Sequence, residues 1–317
     1  MIKRTNKRLI YQLGFFALFV LTPVFDIFRL DLNQGHFIVV FTDLKLNLQQ
    51  LISQGAGTGE LATRIFTHAI LPLVASIVVF LLIAWRWGRL YCGWLCPHFT
   101  VVEYINTFMR KASGKPSLWE PKLPDKQSDG TQVKTNPWWW IVTFFLIVLF
   151  ALCWAVLALS YLLPPKEIYS NLIHLDFTRN QFIFISAVTT AFTIEFTFAR
   201  HLFCRYACAV GVFQSLAWMG NKKAMVVGFD SQRAKECKDC DKSCEHACPM
   251  RLKPRNIKRK IFTCTQCFEC IDSCARVQKT KHKPALLKIL IDDCALDKSE
   301  RDFGKKADIP SHCFDED

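Results

Sequence analysis

Eight cysteines fall in two runs, Cys237-x2-Cys240-x3-Cys244-x3-Cys248-Pro249 and Cys264-x2-Cys267-x2-Cys270-x3-Cys274. Four thiolates converging from a tight loop and one distant residue are what a cubane iron–sulfur cluster needs. Where two such runs occur together, the fourth cysteine of each binds the cluster of the other. This rule assigns Cys237, Cys240, Cys244 and Cys274 to one 4Fe-4S cluster, and Cys264, Cys267, Cys270 and Cys248 to a second. Structural zinc is the rival, but it favours two cysteine pairs separated by a dozen or more residues. The first run has three residues where two are usual, and the second ends Cys274-Ala275 without a proline.

A second kind of motif occurs twice. Arg89-Leu-Tyr-Cys92-Gly-Trp-Leu-Cys96 and His201-Leu-Phe-Cys204-Arg-Tyr-Ala-Cys208 are offset by 112 residues at both cysteines (204 − 92, 208 − 96). Cys92, Cys96, Cys204 and Cys208 are candidates for a redox thiol site. They could equally bind a third iron–sulfur or metal centre, or serve as small buried residues. Glu195 lies within an apolar stretch, where a carboxylate is costly and usually faces a partner or a proton path. Lone Cys153 reads as packing, and Cys294 and Cys313 as free thiols. His68 and His174 read as surface histidines, and without a Cys-x-x-Cys-His there is no c-type haem site.

Apolar segments must position these groups. The chain has 317 residues, 51% of them apolar, yet a net charge of +13 (40 − 27). Apolar and charged residues must therefore be segregated, which excludes a disordered chain and argues against a plain soluble enzyme. Residues 10–28, 66–87, 138–163 and 181–203 are long enough to cross a bilayer. The first carries Pro23 and Asp26 near its end but has no small-x-small cleavage site, so it reads as an uncleaved anchor. Lys and Arg crowd the N-terminus, the loop after the second span and everything after the fourth. Both termini and the cluster domain are then cytoplasmic. Positive-inside bias and anionic lipid account for the basic excess without nucleic acid.

The fold class that follows is membrane α-helical: a four-span bundle of two parallel two-helix repeats plus a cytoplasmic two-cluster ferredoxin-like domain. The expected domains are 1–112 (first repeat), 113–136 (linker), 137–220 (second repeat), 221–285 (double-cluster domain) and 286–317 (polar tail). After Cys96, Phe99, Val102, Ile105, Phe108 and Met109 recur at helical spacing. They mark either a surface helix or an extension of the second span bent at Pro97. An amphipathic piece is expected at 44–52, and the Gly-rich run at 55–60 reads as a loop. Arg86, Arg89 and Arg200 read as inner-face anchors. Lys253, Arg255, Lys258, Arg259 and Lys260 could guide an acidic partner or meet anionic lipid.

CGWLCP after a span, a second CxxxC after a later one and a following double-cluster domain resemble the NapH / NosR / CcoG (FixG) group of membrane-bound polyferredoxins, over roughly residues 60–280. The layout is most similar to NapH, while Phe213-Gln214-Ser215 and Met225-Val226-Val227-Gly228-Phe229-Asp230 look more like CcoG. The resemblance implies a quinol dehydrogenase subunit in a bacterial inner membrane. Such a subunit moves electrons between the quinone pool and other electron-transfer subunits, soluble ferredoxin-like or cytochrome. A CcoG-like copper reductase or assembly factor, and a non-enzymatic redox sensor, are the alternatives. Ala209 stands where family members usually have proline after the second CxxxC.

Overall fold

The computed structural model describes residues 2–31, 36–39, 42–44, 57–299 and 313–314. Most of the expected amphipathic piece at 44–52 and part of the Gly-rich run lie outside them. The chain is mostly helical. Helix α1 is Ile2–Leu21, and strands β1 (Phe28–Asp31), β2 (His36–Val39) and β3 (Thr42–Leu44) follow. Then come α2 (Thr58–Trp87), α3 (Pro97–Ser113), α4 (Trp139–Ser160), α5 (Arg179–Ala199) and α6 (Ala209–Met219). Strand β4 (Val226–Phe229), helix α7 (Glu269–Thr280) and strand β5 (Leu287–Leu290) carry the C-terminal part.

Among the described residues, α2, α4 and α5 are long and apolar enough to cross a membrane, with 30, 22 and 21 residues. None of the most apolar stretch of α2 is buried by protein, and only 11% of that of α5 is. Such uncovered apolar surface is stable only against lipid. The expected span at 10–28 differs. Helix α1 stops at Leu21, before Pro23, and the chain turns through Asp26 at φ 51° into β1. Its apolar part, residues 9–21, reaches only about 20 Å at 1.5 Å per residue, short of a hydrocarbon core of about 30 Å.

The residues group into two compact units. One comprises Gly14–Phe80 and Val148–Ile194. It holds the antiparallel sheet β1-β2-β3, with Phe28 opposite Val39 and Phe37 opposite Leu44. Its core gathers Ala155, Val156 and Leu159 of α4 with Ile168 and Ile185.

The other unit comprises Met1–Leu13, Leu81–Ile147 and Glu195–Asp317, and holds both kinds of cysteine motif. Gly88, at φ 74°, ends α2, and a short turn of helix (Leu90–Trp94) follows. Helix α3 is thus separate from α2 rather than its bent extension. Pro97 begins it, where a missing N–H costs nothing, and Gly114 at φ 73° ends it. The apolar spacing is realised: Phe99, Val102, Ile105 and Met109 are all buried, whereas Phe108 is half-buried. Strands β4 and β5 pair antiparallel, with Val226 opposite Leu290.

Gly93 lets the CGWLC loop lie on the backbone of the second cysteine run. A Cβ there would stand 2.2 Å from Thr265 O. The carbonyl belongs to the backbone and cannot swing away. Gly93→Ala is expected to destabilise the fold by about 1–3 kcal/mol, read as a lower Tm in detergent. Gly14→Ala, which meets nothing within 4 Å, should leave Tm unchanged or slightly raised.

Candidate functional site

The cysteines of the two runs line two closely walled cavities. Cys237, Cys240, Cys244 and Cys274 line one, with Phe229, Val277, Leu286 and Leu287 as its apolar wall. Cys248, Cys264, Cys267 and Cys270 line the other, walled by Val227, Met250, Leu252, Ile261 and Phe268. Helix α7 contributes Cys270 to one cavity and Cys274, a turn later, to the other. Gln266 (φ 53°) and Phe268 (φ 63°) alternate with the cysteines of the second run. These sparsely populated conformations fold the loop tightly enough for Cys264, Cys267 and Cys270 to reach one cavity.

The donor set is thiol alone, as an iron–sulfur cluster requires. Among the described residues no three His, Cys, Asp or Glu side chains converge closely enough for a single ion. Four thiols line each cavity, the number of protein ligands a cubane cluster takes. Burial pushes the thiols of Cys244 and Cys264 up to about 12, and raises Cys267 and Cys270 as well. Without added positive charge these groups stay protonated, and only the thiolate is a good ligand. Iron would supply that charge.

The second motif lies in the same unit. Cys92 and Cys204 are buried, and Cys96 and Cys208 half-buried. Burial raises the thiols of Cys92, Cys96 and Cys204, taking Cys96 to about 12, and the neighbouring thiols add to it. Cys96 and Cys208 each stand just before a helix, α3 and α6, with similar backbones (φ −57°, ψ 117° and φ −69°, ψ 108°). Cys92 Sγ donates to Gln214 Oε1 at 3.8 Å.

Arg89 is not the membrane anchor its sequence position suggested. It is 1% exposed. Its Nη2 donates to Cys204 O at 3.0 Å and lies 3.7 Å from Cys92 Sγ, while Nη1 donates to Thr263 O at 3.4 Å. Gly211 makes room, since a Cβ there would stand 2.2 Å from Nη2. One guanidinium thereby ties both CxxxC motifs to the second cysteine run. Arg200 is likewise buried and donates to Asn106 Oδ1, whereas Arg86 is half-buried and pairs with Asp292.

Arg8 of α1 is a further buried tie. It donates to Gly93 O at 2.8 Å and pairs with Glu103 of α3 and Glu269 of α7, at 2.6 and 3.0 Å. Sequence reading had counted it only among the basic N-terminal residues. Glu195 begins a π-helical turn, Glu195–Ala199, a distortion common at functional sites. His98, two residues after Cys96, faces it with Nε2 3.6 Å from Oε1, and stacks on Phe196. His98, Arg8 and Arg89 were missed as site residues. Adjacency to CGWLCP was the available signal for His98 and Arg89.

Three other expectations change. Lys258 is buried and donates to Trp218 O and Asn221 O, and Arg255 pairs with Glu245. The surface cluster between the runs thus shrinks to Lys253, Arg259 and Lys260, which are exposed. Cys153 is exposed rather than packed. Cys294 and Cys313 are joined in a disulfide instead of standing free. The turn after β5 presents Cys294 where Cys313 and Phe314 pack on the core, and Lys288 Nζ donates to Phe314 O at 2.7 Å. His68 and His174 are exposed, each near a carbonyl of its own helical turn.

Comparison with known proteins decides the family. A family described as "4Fe-4S binding domain" matches residues 69–116 and 180–224, each stretch containing one CxxxC motif. The "Putative electron transport protein YccM" of Escherichia coli K12 is 30% identical over 220 residues, 68% of this chain and 56% of that protein. "Ferredoxin-type protein NapH" of the same organism is 21% identical over 84% of this chain and 85% of its own length. "Regulatory protein NosR" of Pseudomonas aeruginosa is 28% identical over 58% of this chain and 23% of its own. The chain belongs to the NapH/NosR-like ferredoxin-type family. YccM is described as a putative electron transport protein and NapH as ferredoxin-type, and three helices of this chain are long and apolar enough to cross a membrane. The match spans just over half the length of YccM. No solved structure matches the chain.

Proposed function

We propose that this protein carries electrons between the quinone pool and a partner redox subunit. Cys237, Cys240, Cys244 and Cys274 would hold one 4Fe-4S cluster, and Cys248, Cys264, Cys267 and Cys270 the other. Packing supports this reading. Cys96 and Cys204 share one buried core with Cys248 and Cys264. Cys244 and Cys270 share the next, with Cys274 packed against it. The three cysteine sets therefore adjoin in series, from the CxxxC motifs through the second set to the first.

Bound clusters would supply one-electron redox chemistry. This chain provides what surrounds them. Its apolar walls keep water from the thiols, and Arg89 holds both CxxxC loops against the second run. Cys92, Cys96, Cys204 and Cys208 would pass electrons as thiols or as ligands of a third centre. Glu195, paired with His98 beside these motifs, would take a proton from a quinol hydroxyl. Three spans, α2, α4 and α5, with the cluster domain on the cytoplasmic face of a bacterial inner membrane, fit the Lys and Arg that follow α2 and α5.

Reduced quinol added to anaerobic membranes is expected to bleach the iron–sulfur absorbance. Glu195→Gln should slow the bleaching without changing iron content. Intact clusters that never bleach, with partner subunits present, would overturn the quinol reading.

A further inference from the structure

The cysteine-bearing unit has a third cavity, which the electron-transfer reading does not use. It is polar, about 440 Å³ in volume, and lies between α1, α3, the 127–131 turn and the two cysteine runs. That volume suits a small molecule. We propose that it binds the oxyanion of a phosphate-bearing ligand between Arg110 and Gln127.

The charges lining the cavity mostly cancel. Arg8 is taken by Glu103 and Glu269, Arg276 by Asp129 at 2.8 Å, and Arg251 by Glu120 at 2.9 Å. Arg110 is the exception: among the described residues its guanidinium has no carboxylate within ion-pair distance, and its Nε is buried without an acceptor. Burial, reinforced by nearby Arg251, makes its charge harder to keep. Gln127 is 6% exposed, and its Nε2 also lacks an acceptor. A buried donor without a partner destabilises the fold. Here two such donors line one cavity. A phosphate offers oxygens to both and a negative charge to the guanidinium.

The position adds a consequence. Pro249, next to Cys248, and Glu269, next to Cys270, form part of the same wall. An anion held there would lie beside the second cysteine set and perturb the spectrum of any cluster in it. The phosphate could belong to a dissolved organophosphate or to an anionic lipid headgroup, since both present the same oxygens.

The test uses the full chain in phosphatidylcholine nanodiscs, titrated with inorganic phosphate by calorimetry and followed by electron paramagnetic resonance. Saturable binding is expected, with Arg110→Gln and Gln127→Leu each weakening it about tenfold or more at unchanged iron content. A parallel arm replaces part of the lipid with phosphatidylglycerol and adds no phosphate. An Arg110-dependent spectral shift there, with no binding of free phosphate, would assign the site to a lipid headgroup. Absence of both responses, or responses that Arg110→Gln leaves intact, would overturn the proposal.

Discussion

Anaerobically purified protein should contain about eight iron and eight acid-labile sulfide per chain, and Cys270→Ala should remove about half of each. Cys270 is buried and lines the cavity shared with Cys248, Cys264 and Cys267. Cys274→Ala, one turn along α7, should remove the other half, because Cys274 belongs to the cavity of Cys237, Cys240 and Cys244. The two variants should therefore keep different paramagnetic signals. The total also reports on the CxxxC motifs. A count near eight leaves Cys92, Cys96, Cys204 and Cys208 as thiols, while about ten to twelve requires a third centre among them. Zinc with little iron in freshly prepared protein, or two variants that lose the same signal, would refute the cross-paired assignment.

Arg89→Met should be the most damaging substitution away from the cysteines. It leaves the buried carbonyls of Cys204 and Thr263 without their charged donor, at about 1–3 kcal/mol each. The Tm should fall by on the order of ten degrees for a loss of that size in a unit this large. Arg89→Lys should fall between wild type and Arg89→Met, because one ammonium cannot fork to two carbonyls on different loops. Cys92 offers a second readout. Cys92 is buried and reacts only when the structure opens, so thiol-alkylating reagents should reach it faster in the Met variant under mildly denaturing conditions. An Arg89→Met protein as stable as wild type would show that the guanidinium is a bystander.

The cysteine runs were legible because cluster chemistry dictates their spacing directly: the eight residues that line the two cavities form the two sets that spacing alone suggests. Helix α3 was legible too, since its buried face repeats at the helical period. The arginines were not. Sequence reading sorts Lys and Arg by their distance from apolar segments, and cannot tell a guanidinium that meets lipid from one that folds back onto a carbonyl. Arg89, Arg200 and Lys258 are of the second kind. The 10–28 segment misled for a different reason. Apolar content counts Val24, Phe25 and Ile27 toward length, whereas Pro23 and the left-handed Asp26 stop the helix before them. The Cys294–Cys313 pair was hidden because its partners meet through tertiary packing and share no motif.

The grip of Arg8 on Glu269, 261 residues further along the chain, bears on how the molecule is made. On the ribosome, α1 emerges long before α7 exists, and the unit it belongs to is assembled from three separate stretches of chain. Contacts of such sequence separation form late, after their closure entropy has been met. The cavity of Cys248, Cys264, Cys267 and Cys270 therefore cannot acquire its full wall until α7 has been made. The apolar α2, α4 and α5 are synthesised ahead of it, so any group that fills the cavity would enter a chain whose membrane helices already exist.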